Sequence, residues 1–273
     1  MENSMKHPCL RSACSLLLFI LAVSAAFAAT QSDIAKEARW SDQIVDQLVD
    51  GEDVWLENDD HRFLAIYTPA ETASPSGTVL LIHGTGAHPD WPQIIQPLRS
   101  GLAERGWQSL SIQMPLPPEA ADEDLQGALI REGAARISAG IDWLSTQNAR
   151  RVSLISHSRG GADLLFYAAN EHDNRLESLV VIGVNGAFGN IPDAMNTLQS
   201  LARIRLPVLD VYGGDDIQGI RDTAASRKET ARTVSRDYRQ VEIAGADHFF
   251  EGMDADLLEL VVDWLKSHHA SNE

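Results

Sequence analysis

The chain has 273 residues, 22 Lys and Arg against 39 Asp and Glu, a formal net charge of −17 and two cysteines. A surface of that sign repels phosphate backbones and anionic headgroups, so nucleic acid is not an expected partner, and solubility is the ordinary meaning of such acidity. Both cysteines, Cys9 and Cys14, stand near the N-terminus, so the rest of the chain has no disulfide and no thiolate chemistry.

Lys6 and Arg11 precede an apolar run from Leu16 to Phe27. The run is too short for a permanent membrane helix. It ends in Ala26-Phe27-Ala28, which fits a small-x-small cleavage site, so residues 1–28 are expected to be a signal peptide and the product periplasmic or secreted. Cys14 precedes the run, which argues against lipid attachment. No stable membrane span is expected after cleavage. Residues 29–273 suffice for a single domain with a sizeable core, with 29–62 as an N-terminal helix and hairpin extension.

Apolar residues Ile34, Ile44, Val45 and Leu48 predict an amphipathic helix over 33–49. Val54-Trp55-Leu56 and the run Phe63 to Tyr67 flank Asn58-Asp59-Asp60 and read as a hairpin. Thr72 to Gly77 is a polar loop. From Thr78 strands and helices alternate. Thr78 to Ile82 is an apolar run suited to a strand buried on both faces. A helix is expected near Ile94 to Arg105, with Gly106 as its stop and Pro97 either starting or kinking it. A strand over Gln108 to Gln113 precedes a long amphipathic helix through Leu125, Leu129, Ile137, Ile141 and Leu144. The series continues with strands at Val152–Ile155, Leu179–Val184, Val208–Tyr212 and Tyr238–Ile243. The helices between and after them are expected at Gly161–Asn170, Ala194–Ile204, Asp222–Val234 and Leu257–Leu265. This alternation implies an α/β fold with a mainly parallel sheet covered by helices on both faces.

Ser158, in Ser156-His157-Ser158-Arg159-Gly160-Gly161, lies between a strand and a helix. A sharp turn there would project its hydroxyl from the sheet edge, the context of a nucleophile elbow. Gly160 fits the pattern G-x-S-x-G, whereas Ser156 replaces its first glycine. A serine nucleophile needs a base, and the base a carboxylate that fixes its tautomer. Gly213-Gly214-Asp215-Asp216 follows one strand and Ala246-Asp247-His248 follows the next. The ends of parallel strands converge on one edge of the sheet, so His248 is the candidate base and Asp216 the candidate acid, with Asp215 as its rival. Asp247 is expected to hold its loop or face water. His83-Gly84-Thr85-Gly86 follows the first central strand. The backbone N–H groups of Thr85 and Arg159 are the candidates for stabilising a developing oxyanion. The Arg159 side chain is expected to pair with a surface carboxylate. His61, His88, His172, His268 and His269 lack metal-ligand spacing and no phosphate-cradling glycine loop occurs, so no cofactor is implied.

These motifs, in this order, resemble the α/β-hydrolase superfamily over about Phe63 to Leu265. The stretch His83 to Pro92, with Leu98-Arg99 and Gly106-Trp107, also resembles a narrower group of exported proteobacterial α/β-hydrolase-like proteins of unknown function. The superfamily resemblance implies the roles of nucleophile, acid and base for Ser158, Asp216 and His248. The expected function is a serine hydrolase acting on a carboxylic ester or similar acyl bond of a small molecule. A peptidase or thioesterase with the same triad, or a non-catalytic binding module on this fold, is the alternative. Only Asn185 to Leu206 separates two consecutive strands where hydrolase lids are commonly inserted, so no large lid is expected and the cleft should favour short or soluble acyl substrates.

Overall fold

The computed structural model describes residues 1, 31–58, 61–186, 193–235 and 237–269. The expected signal peptide, Met1 apart, and Asp59 and Asp60 of the expected hairpin lie outside the described residues. Helix α1 (Ile34–Gln47) leads into strands β1 (Glu52–Asn58) and β2 (His61–Thr68), then β3 (Gly77–Ile82), α2 (Ile95–Glu104), β4 (Trp107–Ile112), α3 (Glu123–Thr146), β5 (Val152–His157) and α4 (Gly160–Asn170). There follow β6 (Leu176–Ile182), α5 (Thr197–Leu201), β7 (Val208–Gly213), α6 (Gln218–Asp222), α7 (Ala224–Arg232), β8 (Tyr238–Ile243) and α8 (Asp254–His268). One eight-stranded sheet has the order β1-β2-β4-β3-β5-β6-β7-β8. Strand β2 pairs antiparallel with both β1 and β4, and every other pairing is parallel.

The alternation of side chains along each strand sorts the core into two layers. Leu80, Ile82, Leu110 and Ile112 face Ile137, Ile141 and Leu144 of α3 and Leu164 and Leu165 of α4. Val79, Leu81, Ile155 and Val180 face Leu98 and Leu102 of α2 and Leu257, Val261 and Leu265 of α8. Both faces of the central strands are thus dry, which is why their sequences are continuous apolar runs. Each such side chain stabilises the fold by about 1.5–3 kcal/mol. A smaller cluster joins Ile44 of α1 to Leu64 and Ile66 of β2.

Where boundaries differ from expectation, particular side chains are responsible. The helix expected over 194–204 is a 3-10 turn, Asp193–Met195, followed by the short α5, because the Asn196 side chain accepts from Gln199 N at 3.0 Å and starts a new helix. The helix expected over 222–234 runs as α7, Ala224–Arg232, and a further short helix, α6, lies before it, the two divided at Thr223. Its hydroxyl donates to Gly219 O at 2.7 Å and accepts from Gly186 N at 3.0 Å, which ties the break to the loop after β6. Strand β6 ends before Gly183, whose φ of +61° turns the chain. Pro97 is the third residue of α2, where its missing N–H leaves no helical bond unmade. In the connection from β6 to β7, the part described from residue 193 onwards is only the 3-10 turn, α5 and a short link. No helix among the described residues is long and apolar enough to cross a membrane.

Candidate active site

Strand β5 is buried along its whole length and passes into α4 through Ser158. Ser158 has φ +54°, a left-handed conformation that a residue with a side chain keeps only where its surroundings impose it. Its N–H donates to Ile182 O at 2.8 Å, and its carbonyl accepts from Gly161 N at 2.9 Å. Steric demand around the turn is severe. A Cβ on Gly160 would stand 2.6 Å from His83 O and 2.7 Å from Ile82 O, and one on Gly84 would stand 2.9 Å from Ser158 Cβ. Ser156 is fully buried and donates from its hydroxyl to Val180 O at 3.3 Å. Serine at this position is therefore accommodated within the sheet, and the elbow conformation at Ser158 is retained.

The parallel strand ends bring the three candidate residues together. His248 Nε2 lies 3.0 Å from Ser158 Oγ, and His248 Nδ1 lies 2.7 Å from Asp216 Oδ1. The Asp216 side chain is buried, whereas Asp215 beside it is exposed. Asp216 Oδ1 also accepts from Ile217 N at 2.7 Å and Oδ2 from Gly213 N at 3.3 Å. Burial raises the Asp216 carboxyl, but the His248 hydrogen bond and charge and the two backbone donors outweigh it and hold it below the usual carboxylate value. Asp247 does hold its loop, accepting from Phe249 N at 2.9 Å and Glu251 N at 3.2 Å.

Two residues that support His248 were not singled out from the sequence. His157 Nε2 donates to the His248 carbonyl across 2.9 Å, and the two rings stand 4.7 Å apart. Burial, with the neighbouring His248, pushes His157 down to about 4, so it is a neutral donor. Gly183 lies behind the imidazole: a Cβ there would be 3.1 Å from His248 Cε1. The available signal was the position of His157 next to Ser158 in a wholly buried strand.

The loop after β3 is equally constrained. Met114 N donates to His83 Nε2 at 2.9 Å, which leaves the proton on Nδ1 to donate to Gly84 O at 2.8 Å. Complete burial pushes His83 down to about 3 and keeps it neutral. Thr85 is exposed at the loop tip. Neither its backbone N–H nor that of Arg159 has a hydrogen-bond partner among the described residues. The Arg159 side chain departs from expectation. Among the described residues it pairs with no carboxylate, and it donates to Gln126 Oε1 at 2.5 Å and Gln126 O at 3.2 Å, which fixes it on α3. Asp163, one helical turn beyond, is buried, and burial pushes it up to about 7 despite the charge of Arg159. Chemically, the arrangement offers a hydroxyl, an imidazole to take its proton and a carboxylate to steady the imidazolium.

Fold and site geometry define an α/β-hydrolase fold, and solved structures agree. Est1E from Butyrivibrio proteoclasticus has a TM-score of 0.63 at 16% identity, covering 80% of this chain and 98% of its own. Dienelactone hydrolase from Anabaena variabilis has a TM-score of 0.62 at 23% identity, covering 81% and 98%. An esterase from Pyrococcus furiosus has a TM-score of 0.66 at 14% identity, covering 82% and 92%. The family described as "protein of unknown function (DUF3530)" matches residues 11–126 and 117–267, and the chain belongs to it. No curated protein matches the sequence.

Proposed function

We propose that the protein is an exported serine hydrolase that cleaves a carboxylic ester or similar acyl bond. The observation that carries this reading is the continuous chain Ser158 Oγ, His248 Nε2, His248 Nδ1, Asp216 Oδ1, with links of 3.0 and 2.7 Å. His248 takes the Ser158 proton as Oγ attacks the acyl carbon. The carbonyl oxygen becomes negative and is met by the N–H groups of Thr85 and Arg159. His248 then returns the proton to the leaving group. Water, activated by the same imidazole, releases the acid from the acyl-enzyme. Asp216 stays ionised throughout and stabilises the imidazolium.

The short connection after β6 argues for a shallow cleft. Ile217 and Phe249, 54% and 37% exposed, directly follow the acid and the base. They offer apolar surface next to the acid and the base, which suits a short acyl group on a soluble molecule. Names borne by structures of this fold, an esterase and a dienelactone hydrolase, fit the same chemistry. Turnover of p-nitrophenyl acetate and a panel of longer esters, amides and thioesters tests the proposal. Hydrolysis by the wild type that Ser158→Ala lacks is the expected result, with acetyl and butyryl esters preferred. Equal rates for the two proteins would refute it.

A further inference from the structure

We propose that α1, which precedes the hydrolase sheet in sequence, is a working part of the active site, and that Glu37 is a positioning residue for the 83–92 loop. The inference rests on the reading above, in which that loop supplies the Thr85 N–H.

One face of α1 carries Glu37, Trp40, Ser41 and Ile44, spaced so as to lie together. Ile44 packs against Leu64 and Ile66. Glu37 is 3% exposed, and its carboxylate accepts from both terminal nitrogens of the fully buried Arg136 at 3.0 and 3.1 Å. It also accepts from the Ser32 hydroxyl and lies 3.0 Å from His61 Nε2. Arg136 Nη1 continues inward and donates to Gln113 O at 3.1 Å. Gln113 and Met114 form the next link: Gln113 Nε2 lies 3.2 Å from His83 Nε2, and Met114 N donates to it at 2.9 Å. His83 then donates to Gly84 O, and Gly84 packs on Ser158. An unbroken buried path thus runs from a carboxylate on α1 to the residue beside the nucleophile.

The same helix face touches the loop a second time. Trp40 meets His88 edge-on at 5.9 Å, and His88 meets Trp91 at 5.2 Å. The far end of the loop is tied by Ser111 Oγ to Pro89 O at 2.6 Å. Arg99 reaches Asp90 at 2.6 Å and, on its other side, Asp50 O between α1 and β1 at 2.6 Å. Donors aimed at a developing oxyanion are effective when held in place before the reaction, so fixing this loop bears on catalysis and not only on folding.

Removing one partner of a buried ion pair strands the other charge, whereas removing both relieves that penalty. This asymmetry separates positioning from stability. The purified protein and its variants are assayed on p-nitrophenyl acetate well below each Tm, with circular dichroism as the check on folding. Glu37→Gln should lower kcat at least about tenfold with KM nearly unchanged, and slow fluorophosphonate labelling of Ser158 in parallel, as expected for loss of an interaction made only in the transition state. Glu37→Gln with Arg136→Met should recover part of the lost thermal stability, the remainder reflecting the Arg136–Glu132 pair at 2.8 Å that it also removes, but not kcat, since the Arg136 link to Gln113 is gone. Tyr167→Phe, which loses a hydrogen bond to Asp173 at the other end of α4, should lower Tm and leave kcat unchanged. Should Glu37→Gln not fold, Ser32→Ala removes one donor from the same carboxylate, and a fall in kcat at constant KM is again expected. Wild-type kcat in the folded variants, or recovery of kcat together with Tm in the double variant, overturns the inference. Equal activity of Ser158→Ala and wild type would instead remove the hydrolase reading beneath it.

Discussion

Asp216→Asn is the most informative perturbation of the site, because the geometry fixes what the amide can do. Asp216 Oδ1 serves two donors at once, His248 Nδ1 and Ile217 N, both at 2.7 Å, while Oδ2 accepts from Gly213 N at 3.3 Å. An asparagine with its oxygen in the Oδ1 position keeps both contacts there but turns its NH2 towards the Gly213 N–H. The flipped amide faces Ile217 N–H and His248 Nδ1 with a donor, which drives the imidazole proton to Nε2. In that tautomer His248 cannot accept from Ser158. Neither orientation supplies the negative charge that stabilises the imidazolium. The corresponding change in a measured triad costs on the order of 10⁴-fold in kcat, about 5.5 kcal/mol at the transition state. Asp215→Asn, at an exposed carboxylate, should change kcat less than about twofold. Initial rates on an activated ester, with labelling by a fluorophosphonate as a second readout, make the comparison. An Asp216→Asn enzyme within tenfold of wild type, or an Asp215→Asn enzyme more impaired than it, would refute the reasoning.

Other outcomes follow from the packing and charges. His157→Phe removes the donor to the His248 carbonyl and should lower kcat about tenfold with the fold retained, as checked by kinetics beside circular dichroism. Gly160→Ala places a methyl against two backbone carbonyls and should yield little folded protein in a thermal melt. The raised Asp163 carboxyl, about 7 in the folded state, keeps its proton in a pH range where the unfolded chain has lost it. Its contribution is therefore full below about pH 4 and lost progressively as pH rises towards 7, at about 1.4 kcal/mol per pH unit. Asp163→Asn does not titrate, so its Tm relative to wild type should climb across that window. A Tm difference independent of pH would contradict the assignment. If the chain is exported as proposed, N-terminal sequencing of protein recovered from a periplasmic fraction should begin at or near Ala29, and an intact Met1 on a membrane-extracted protein would argue against export.

The sequence made some layers legible and hid others, for identifiable reasons. The strand Tyr238–Ile243 was readable to the residue because its mix of apolar and polar positions and the Ala244-Gly245 turn after it are local signals. The order and loop positions of Ser158, Asp216 and His248 were readable because parallel strands deliver their ends to one edge. The choice between Asp215 and Asp216 was not, since it depends on how the chain leaves β7. The break at Thr223 was hidden because the partner of its hydroxyl is Gly186, 37 positions away. The same holds for Glu37 and Arg136: a buried ion pair between residues 99 positions apart leaves no periodic trace in either helix. Arg159 misled because a surface carboxylate is the commoner partner, whereas here an amide on α3 stands within reach.

The central claim is that Ser158 is an activated nucleophile. The most direct measurement is mass spectrometry of the folded protein after reaction with a fluorophosphonate at neutral pH. The expected result is a single adduct on the peptide containing Ser158, formed far more slowly in His248→Ala and absent from Ser158→Ala. An adduct at another residue, or no adduct on a folded wild type at millimolar probe, would contradict it.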